Sequence, residues 1–229
     1  MRVLVKHIIG IVDMIKHISL DHGSGGKPTH DLIENLFSSN FCMPKPLTDS
    51  ALLSESGFHF AFTTDSYVIE PIFFPGGDIG KLAICGTVND LAVSGAIPRY
   101  ISASFIIEEG FPYTDLEIIV ESMAIEAKKA NVTIVTGDTK VVDRGKCDKI
   151  FINTSGIGIL NPAYSHISKG QNVKPGDKLI VNGTIANHAI AVLCARNELG
   201  FSTSIQSDCT SLNALIEELL ETNIRVHFM

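Results

Sequence analysis

Four short carboxylates stand in words that could hold a hard cation. Asp49 lies in Asp49-Ser-Ala51, Asp65 in Thr63-Thr-Asp65-Ser66, Asp90 in Asn89-Asp90-Leu91 and Asp138 in Thr136-Gly-Asp138-Thr139. The set is sulfur-free, and oxygen ligands on rigid elements suit Mg²⁺ held jointly with phosphates. Upstream, residues 22–27 read His-Gly-Ser-Gly-Gly-Lys, followed from Pro28 by a segment of helical character. A glycine loop entering a helix presents unobstructed backbone N–H groups to phosphate. Loop and acids would then be two halves of one nucleotide site. Each signal also has a plainer explanation. Lys27 is followed by Pro28, so the loop misses both the Walker A and the Gly-x-Gly-x-x-Gly spacing and could be a flexible turn. Asp65 and Asp138 could be Asx caps, and Asp90 could sit in a structural ion pair with Lys or Arg.

These residues must be positioned by alternating strands and helices, the order of an α/β or α+β domain. Phe58 to Thr64, Tyr100 to Ile107, Val132 to Thr136 and Lys149 to Gly158 read as strands. On this reading Asp65 and Asp138 follow strand ends, where ligands bind in many α/β architectures. The stretch from Ile79 to Pro98 carries only Lys81 and Asp90 as charges, so as a helix it is largely buried. There Ala83, Gly86, Thr87, Asp90 and Ser94 form a narrow stripe that a ligand or another backbone could approach. Thr114-Asp-Leu-Glu117 reads as a capping box opening a helix with Leu116, Ile119, Val120, Met123 and Ala127 on one face. Asn161 to Asp177 is rich in turn residues and is the best boundary candidate. Beyond it, Lys178 to Asn182 reads as a strand, His188 to Leu199 as a helix, and Leu212, Leu215, Ile216 and Leu219 as the buried face of another.

The chain has 229 residues, long enough for one large domain or two small ones. Its 18 Lys and Arg against 25 Asp and Glu give a formal net charge of −7, and the lysines are scattered, which argues against nucleic acid. Five widely spaced cysteines with no Cys-x-x-Cys pair fit reduced thiols in a cytoplasm. No apolar run reaches the ~18 residues of a membrane helix, and Lys6, His7 and Asp13 break the N-terminal one.

Four segments carry a resemblance. His22 to Lys27, Thr64 to Gly77, Gly80 to Ala96 and Thr136 to Val142 closely resemble the HypE family of hydrogenase maturation factors, from about Ile18 onward. That family lies in the superfamily of aminoimidazole ribonucleotide synthetase, thiamine-monophosphate kinase and selenophosphate synthetase. The resemblance implies an N-terminal extension over 1–17 and a PurM-like ATP-binding and dimerisation domain over 18–160. Its mixed sheet would pair with that of a second subunit into a dimeric barrel. An incomplete α/β C-terminal domain would cover 161–229, with Met14 a candidate initiator.

The activity implied is an ATP-dependent carbamoyl dehydratase, a lyase. ATP phosphorylates the oxygen of a thiocarboxamide that HypF has placed on a C-terminal cysteine, and loss of phosphate leaves a thiocyanate. The cyanide passes through the HypC–HypD complex to the iron of the [NiFe] hydrogenase centre. Carried over residue by residue, Asp49, Asp65, Asp90 and Asp138 would hold Mg²⁺ and the triphosphate, and Asp90, with Asn89 beside it, would take a proton from the carboxamide. Lys140 would contact phosphate or the active site. Gly23, Ser24, Gly25, Gly26 and Lys27 would order over ATP, with His22 at the loop's head a further catalytic candidate. None of the five cysteines replaces the acceptor, so this chain alone is expected to be inactive. The alternatives are a selenophosphate synthetase or thiamine-monophosphate kinase-like enzyme, and a non-catalytic dimerising scaffold for maturation partners.

Overall fold

The computed structural model describes residues 17–229 apart from 44, 199, 201–203 and 223. The extension over 1–17, but for His17, and the candidate initiator Met14 lie outside the described residues. Compactness divides the chain into two units, residues 1–47 and residues 48–229. In the first, a 3₁₀ turn Leu20–Gly23 leads into helix α1 (Lys27–Leu32), whose turns widen to π geometry over Ile33–Ser38 and close at Ser39–Phe41. Pro28 suits that helix start, because its missing N–H would have no intrahelical partner there.

The second unit is built on a five-stranded sheet. In chain order the strands are β1 (Ala51–Glu55), β2 (Phe58–Tyr67), the short pair β3 (Phe73–Phe74) and β4 (Gly77–Asp78), β5 (Ala96–Glu108), β6 (Thr133–Val142) and β7 (Ile150–Leu160). The large sheet runs β1-β2-β7-β5-β6. Only β5 and β6 pair in parallel, so the sheet is mixed, as expected. It is open, with β1 and β6 at its edges, and the described residues form no closed barrel. Ser56 and Gly57 both adopt positive φ between β1 and β2, the conformation a two-residue hairpin turn requires.

Two helices cover one face. Helix α2 (Ile79–Val93) starts where Asp78 Oδ1 accepts the N–H groups of Gly80 and Lys81, and it packs on β2, β5 and β7. Helix α3 (Tyr113–Lys129) packs against α2 and buries Ile119, Met123 and Ala127. The expected capping box does not form. Pro112 is the N-cap and the helix opens at Tyr113, so Thr114 already lies inside the first turn and makes no cap bond. Val120, placed on the buried face by periodicity, is exposed. The core joins Ile79, Ala83, Ile84 and Val88 of α2 to Ile101, Ile119, Met123, Ile150 and Ile152. The stripe of small residues on α2 faces the sheet. Ala83 and Thr87 are fully buried, and a Cβ on Gly86 would stand 2.3 Å from the Tyr67 hydroxyl.

Past β7 the order thins. Lys178 to Asn182 is not a strand, because no neighbouring strand offers it a ladder; its Leu179 is 100% exposed and Ile180 82%. Two helices follow, α4 (Asn187–Ala195) and α5 (Asn213–Glu221). The helix expected to run to Leu199 stops at Ala195, and Leu199 itself lies outside the described residues. On α5 Ile216 is buried but Leu215 is half exposed. Between these helices an irregular strap, residues 204–212, is fastened to the β3–β4 turn and to the middle of α2. Ser207 N–H donates to Pro75 O at 2.8 Å, and a Cβ on Gly76 would lie 2.7 Å from Ser207 N, so only glycine allows this approach.

Candidate functional site

Asp90 is the centre of the site. It sits near the end of α2 with its carboxylate against β2, where Thr63 Oγ1 lies 3.0 Å from Asp90 Oδ2 and 2.8 Å from Asp49 O. The single Thr63 proton can serve only one of them at a time. The Asp90 carbonyl accepts from Ser50 Oγ at 3.0 Å and Ser94 Oγ at 2.8 Å, which pins this turn to the chain entering β1. Burial pushes the Asp90 carboxyl up to about 6, the nearby Asp65 and Asp49 charges add to the rise, and the Thr63 hydrogen bond opposes it. Among the described residues no Lys or Arg lies within ion-pair reach of Asp90. The structural ion pair considered from sequence is therefore absent there.

Asp65 is not at a strand end. It lies inside β2, in register with Thr154 of β7, whose hydroxyl meets Thr87 Oγ1 of α2 at 2.5 Å. Asp138 likewise lies inside β6, in register with Ser104. Both strands run past the expected ends because their partners continue to offer hydrogen bonds. Asp138 stands apart from the Asp90 group, largely exposed, with Lys140 Nζ 3.8 Å from its Oδ2. Gly137 before it is required: a Cβ there would collide with the Ala103 carbonyl.

Three carboxylates, Asp49, Asp65 and Asp90, therefore share one field, while Asp138 and Lys140 form a separate exposed pair. Among the described residues no three His, Cys, Asp or Glu side chains converge into a ready metal cage. The donor set still fits Mg²⁺, which takes one or two carboxylates and completes its shell with phosphate oxygens and water. The observation behind that fit is the donor set itself: the Asp90 carboxyl, pushed up first by burial and then by the Asp65 and Asp49 charges, has no Lys or Arg partner among the described residues, so a cation would favour its ionised form.

Asn89 points elsewhere. Its Nδ2 donates to Thr210 O at 3.0 Å and its Oδ1 accepts from Leu212 N–H at 2.8 Å, so both ends of the amide hold the strap. The glycine loop belongs to the first unit. Gly23 and Gly25 have open space where a Cβ would be, Gly25 at φ +77, and Gly25 N–H donates to Thr29 Oγ1 at 3.0 Å. Ser24 Oγ donates to Asp21 O, Gly26 is the N-cap of α1, and Lys27 is its first residue. His22 Nδ1 lies 3.1 Å from Ser19 N and 2.9 Å from Ser19 Oγ, a local turn closure. Sequence reasoning missed Thr63 and Ser50, the hydroxyls that hold Asp90. Thr63 stood in the word that pointed to Asp65, but its own role depends on α2 lying across β2.

Comparison with known proteins decides the family. Residues 47–160 match AIR synthase related protein, N-terminal domain. The chain is 50% identical over 210 residues to carbamoyl dehydratase HypE of Rhodobacter capsulatus, covering 90% of this chain and 61% of that protein. With HypE of Escherichia coli K12 the identity is 50% over 212 residues, covering 90% and 62%. The chain belongs to the HypE family. It spans about three fifths of the length of these curated HypE proteins. Among solved structures, HypE in a HypE–HypF complex aligns with a TM-score of 0.75 at 53% identity, over 82% of this chain and 61% of that one. HypE in complex with ATP aligns with a TM-score of 0.68 at 47% identity, over 90% and 61%. A thiamine monophosphate kinase from Aquifex aeolicus, at 14% identity and TM-score 0.62 over 86% of this chain and 66% of that one, shares the fold. Among the described residues no helix is long and apolar enough to cross a membrane.

Proposed function

We propose that this chain carries the nucleotide-binding part of a HypE-type carbamoyl dehydratase, with ATP as substrate and Mg²⁺ as its counter-ion. The observation that carries this reading is the Asp90 group, whose carboxylate meets Thr63 and whose main-chain carbonyl is held by Ser50, in a chain 50% identical to HypE proteins. Asp49, Asp65 and Asp90, and Asp138 from β6, would hold Mg²⁺ with the phosphates, and Lys140 would contact the phosphates directly. Gly23 to Lys27, with His22 at their head, would order over it. Mg²⁺ would offset the charge that develops on the transferred phosphoryl group.

The reaction suits these residues. A carboxamide oxygen is a poor leaving group, and transfer of the γ-phosphoryl group of ATP onto it, with departure of ADP, turns it into a phosphate ester that can leave. Departure of that phosphate with loss of the two nitrogen protons leaves a nitrile on sulfur. Asp90, whose carboxylate meets Thr63 Oγ1 at the end of α2, is the residue proposed to take up such a proton. Asn89 would act by holding the strap beside it.

HypF, the HypC–HypD complex and a second copy of this chain are the proposed partners. The second copy is favoured by Phe62, Tyr100, Ile106, Ile157 and Ile159, exposed on the sheet, and by Val135 and Val141 on edge strand β6. The division at about residue 160 and a cytoplasmic location belong to the same reading. Titration calorimetry with ATP, with and without Mg²⁺, tests it. Asp65→Ala or Asp138→Ala should abolish the metal-dependent heat in a chain that still melts cooperatively. Unchanged binding would remove the substituted residue from the site, and absence of any ATP heat in the parent chain would sink the reading. A monomer by light scattering at micromolar concentration would remove the second copy.

A further inference from the structure

Two cysteines far apart in sequence meet on the outer side of α2. Cys85 is buried on the helix, one turn before Asn89, and its Sγ lies 3.6 Å from Ser211 Oγ of the strap. Cys209 sits in that strap beside Thr210, whose carbonyl Asn89 holds, and its own N–H donates to Ser207 Oγ at 3.1 Å. The strap is thus pinned on both sides of Cys209, by Ser207 at Pro75 and by Thr210 and Ser211 on α2, which brings its thiol beside Cys85. Both are free thiols, and Cys209 is only partly buried. Cys42, Cys147 and Cys194 are free as well, and no sulfur–sulfur contact joins them among the described residues.

The electrostatics of the pair are asymmetric. Interaction with Cys209 holds the Cys85 thiol below its ordinary range against the pull of burial, while Cys209 is pushed up by the same interaction and by burial. Lys81, on the same face one turn earlier, favours the anion on either sulfur, and Glu126 of α3 disfavours it. A thiolate facing a neighbouring thiol is the arrangement from which disulfides form by exchange.

We infer that Cys85 and Cys209 form a reversible intramolecular disulfide which, under a glutathione-type disulfide oxidant, locks the strap 204–212 onto α2. Cys209, the less buried of the two, gives its proton to the Cys85 thiolate and attacks the oxidant as a thiolate, displacing one glutathione thiolate that takes a proton from water. Cys85 then attacks the Cys209 sulfur and displaces the second glutathione, which takes the proton that Cys85 received. Two protein thiols lose two electrons, and one glutathione disulfide becomes two thiols. Because the strap is also what Asn89 grips, oxidation would fix the Asn89 side chain next to Asp90 without touching either carboxylate oxygen.

The 229-residue chain is equilibrated in buffers of graded glutathione to glutathione-disulfide ratio, alkylated, and mapped by peptide mass spectrometry. The expected result is one cross-linked peptide pair, Cys85 with Cys209, that appears as the buffer becomes oxidising and disappears on return to reducing buffer. Amide exchange over 204–212 should slow by about tenfold in the cross-linked form. Cys209→Ser should abolish the cross-link, and Cys147→Ser should leave it in place. Since mapping of the parent chain is itself decisive, failure of a variant to fold would not shield the inference. Stable glutathione adducts on Cys209, cross-links among the other cysteines only, or unchanged exchange over 204–212 in the oxidised chain would each overturn it.

Discussion

Two stretches of similar apolar character have opposite fates in this molecule. Ile150 to Leu160 forms β7, bonded on both sides by β2 and β5, and its Ile150 and Ile152 are buried under α2 and α3. Lys178 to Val181, with the same kind of β-forming side chains, stands without a strand partner, and Leu179, Ile180 and Val181 lie exposed. The difference is one of company. A strand is stabilised by cross-strand neighbours and by burial of a face, not by its own residues.

That contrast can be broken in the core with the largest effect. Ile84→Ala on α2, where the side chain is fully buried, should lower unfolding free energy by about 2–5 kcal/mol in urea titrations. The matched change Leu179→Ala should stay within about 0.5 kcal/mol, because that side chain touches solvent. Equal losses would mean that 178–181 is packed after all. Gly86→Ala comes next. Its Cβ would meet the Tyr67 ring and hydroxyl, so α2 must shift from β2, at about 1–3 kcal/mol, and Tyr67→Phe should restore part of it.

A smaller effect distinguishes the strap from the open segment. Asn89→Ala removes two hydrogen bonds to Thr210 and Leu212. Amide exchange should rise over 207–212 while β5 and β7 stay protected, and stability should fall by about 1–3 kcal/mol. If 207–212 already exchanged as fast as 178–181 in the parent chain, the strap would not be fastened.

The smallest effect depends on pH. The Asp90 carboxyl is raised in the fold from 3.8 to about 6, so the folded state binds a proton more readily than the unfolded one. The ionised group therefore opposes folding fully above about pH 6, and the opposition fades as pH falls through 6 and is gone below about 3.8. In metal-free buffer Asp90→Asn should melt higher than the parent chain at pH 7.5 (roughly neutral conditions for this linkage), with the gain disappearing towards pH 4. A gain that persisted at low pH would point to packing rather than charge.

Much of this was readable from residue order. The strands 58–64, 100–107, 132–136 and 149–158 all exist, because each is an apolar or alternating run long enough to stand out. Their ends did not follow, since ladder partners carry β2 past Asp65 to Tyr67 and β6 past Asp138 to Val142. The hairpin of β1 escaped notice although Ser56-Gly57 is a turn signal between two runs. Of the site, the acids were legible as words, but the separation of Asp138 from the Asp90 group depends on strand register. The meeting of Cys85 with Cys209 depends on where a strap lands, and residue spacing carries neither.

The strand order β1-β2-β7-β5-β6 also bears on how the chain is made. The ribosome delivers β2 and β5 long before β7, yet β7 is the piece that lies between them. Until Leu160 has emerged, both strands must wait with bare hydrogen-bonding edges, a state prone to sticking to other nascent chains. Synthesis therefore passes through a vulnerable window that closes when β7 is inserted, and a pause in translation between β5 and Ile150 would prolong it.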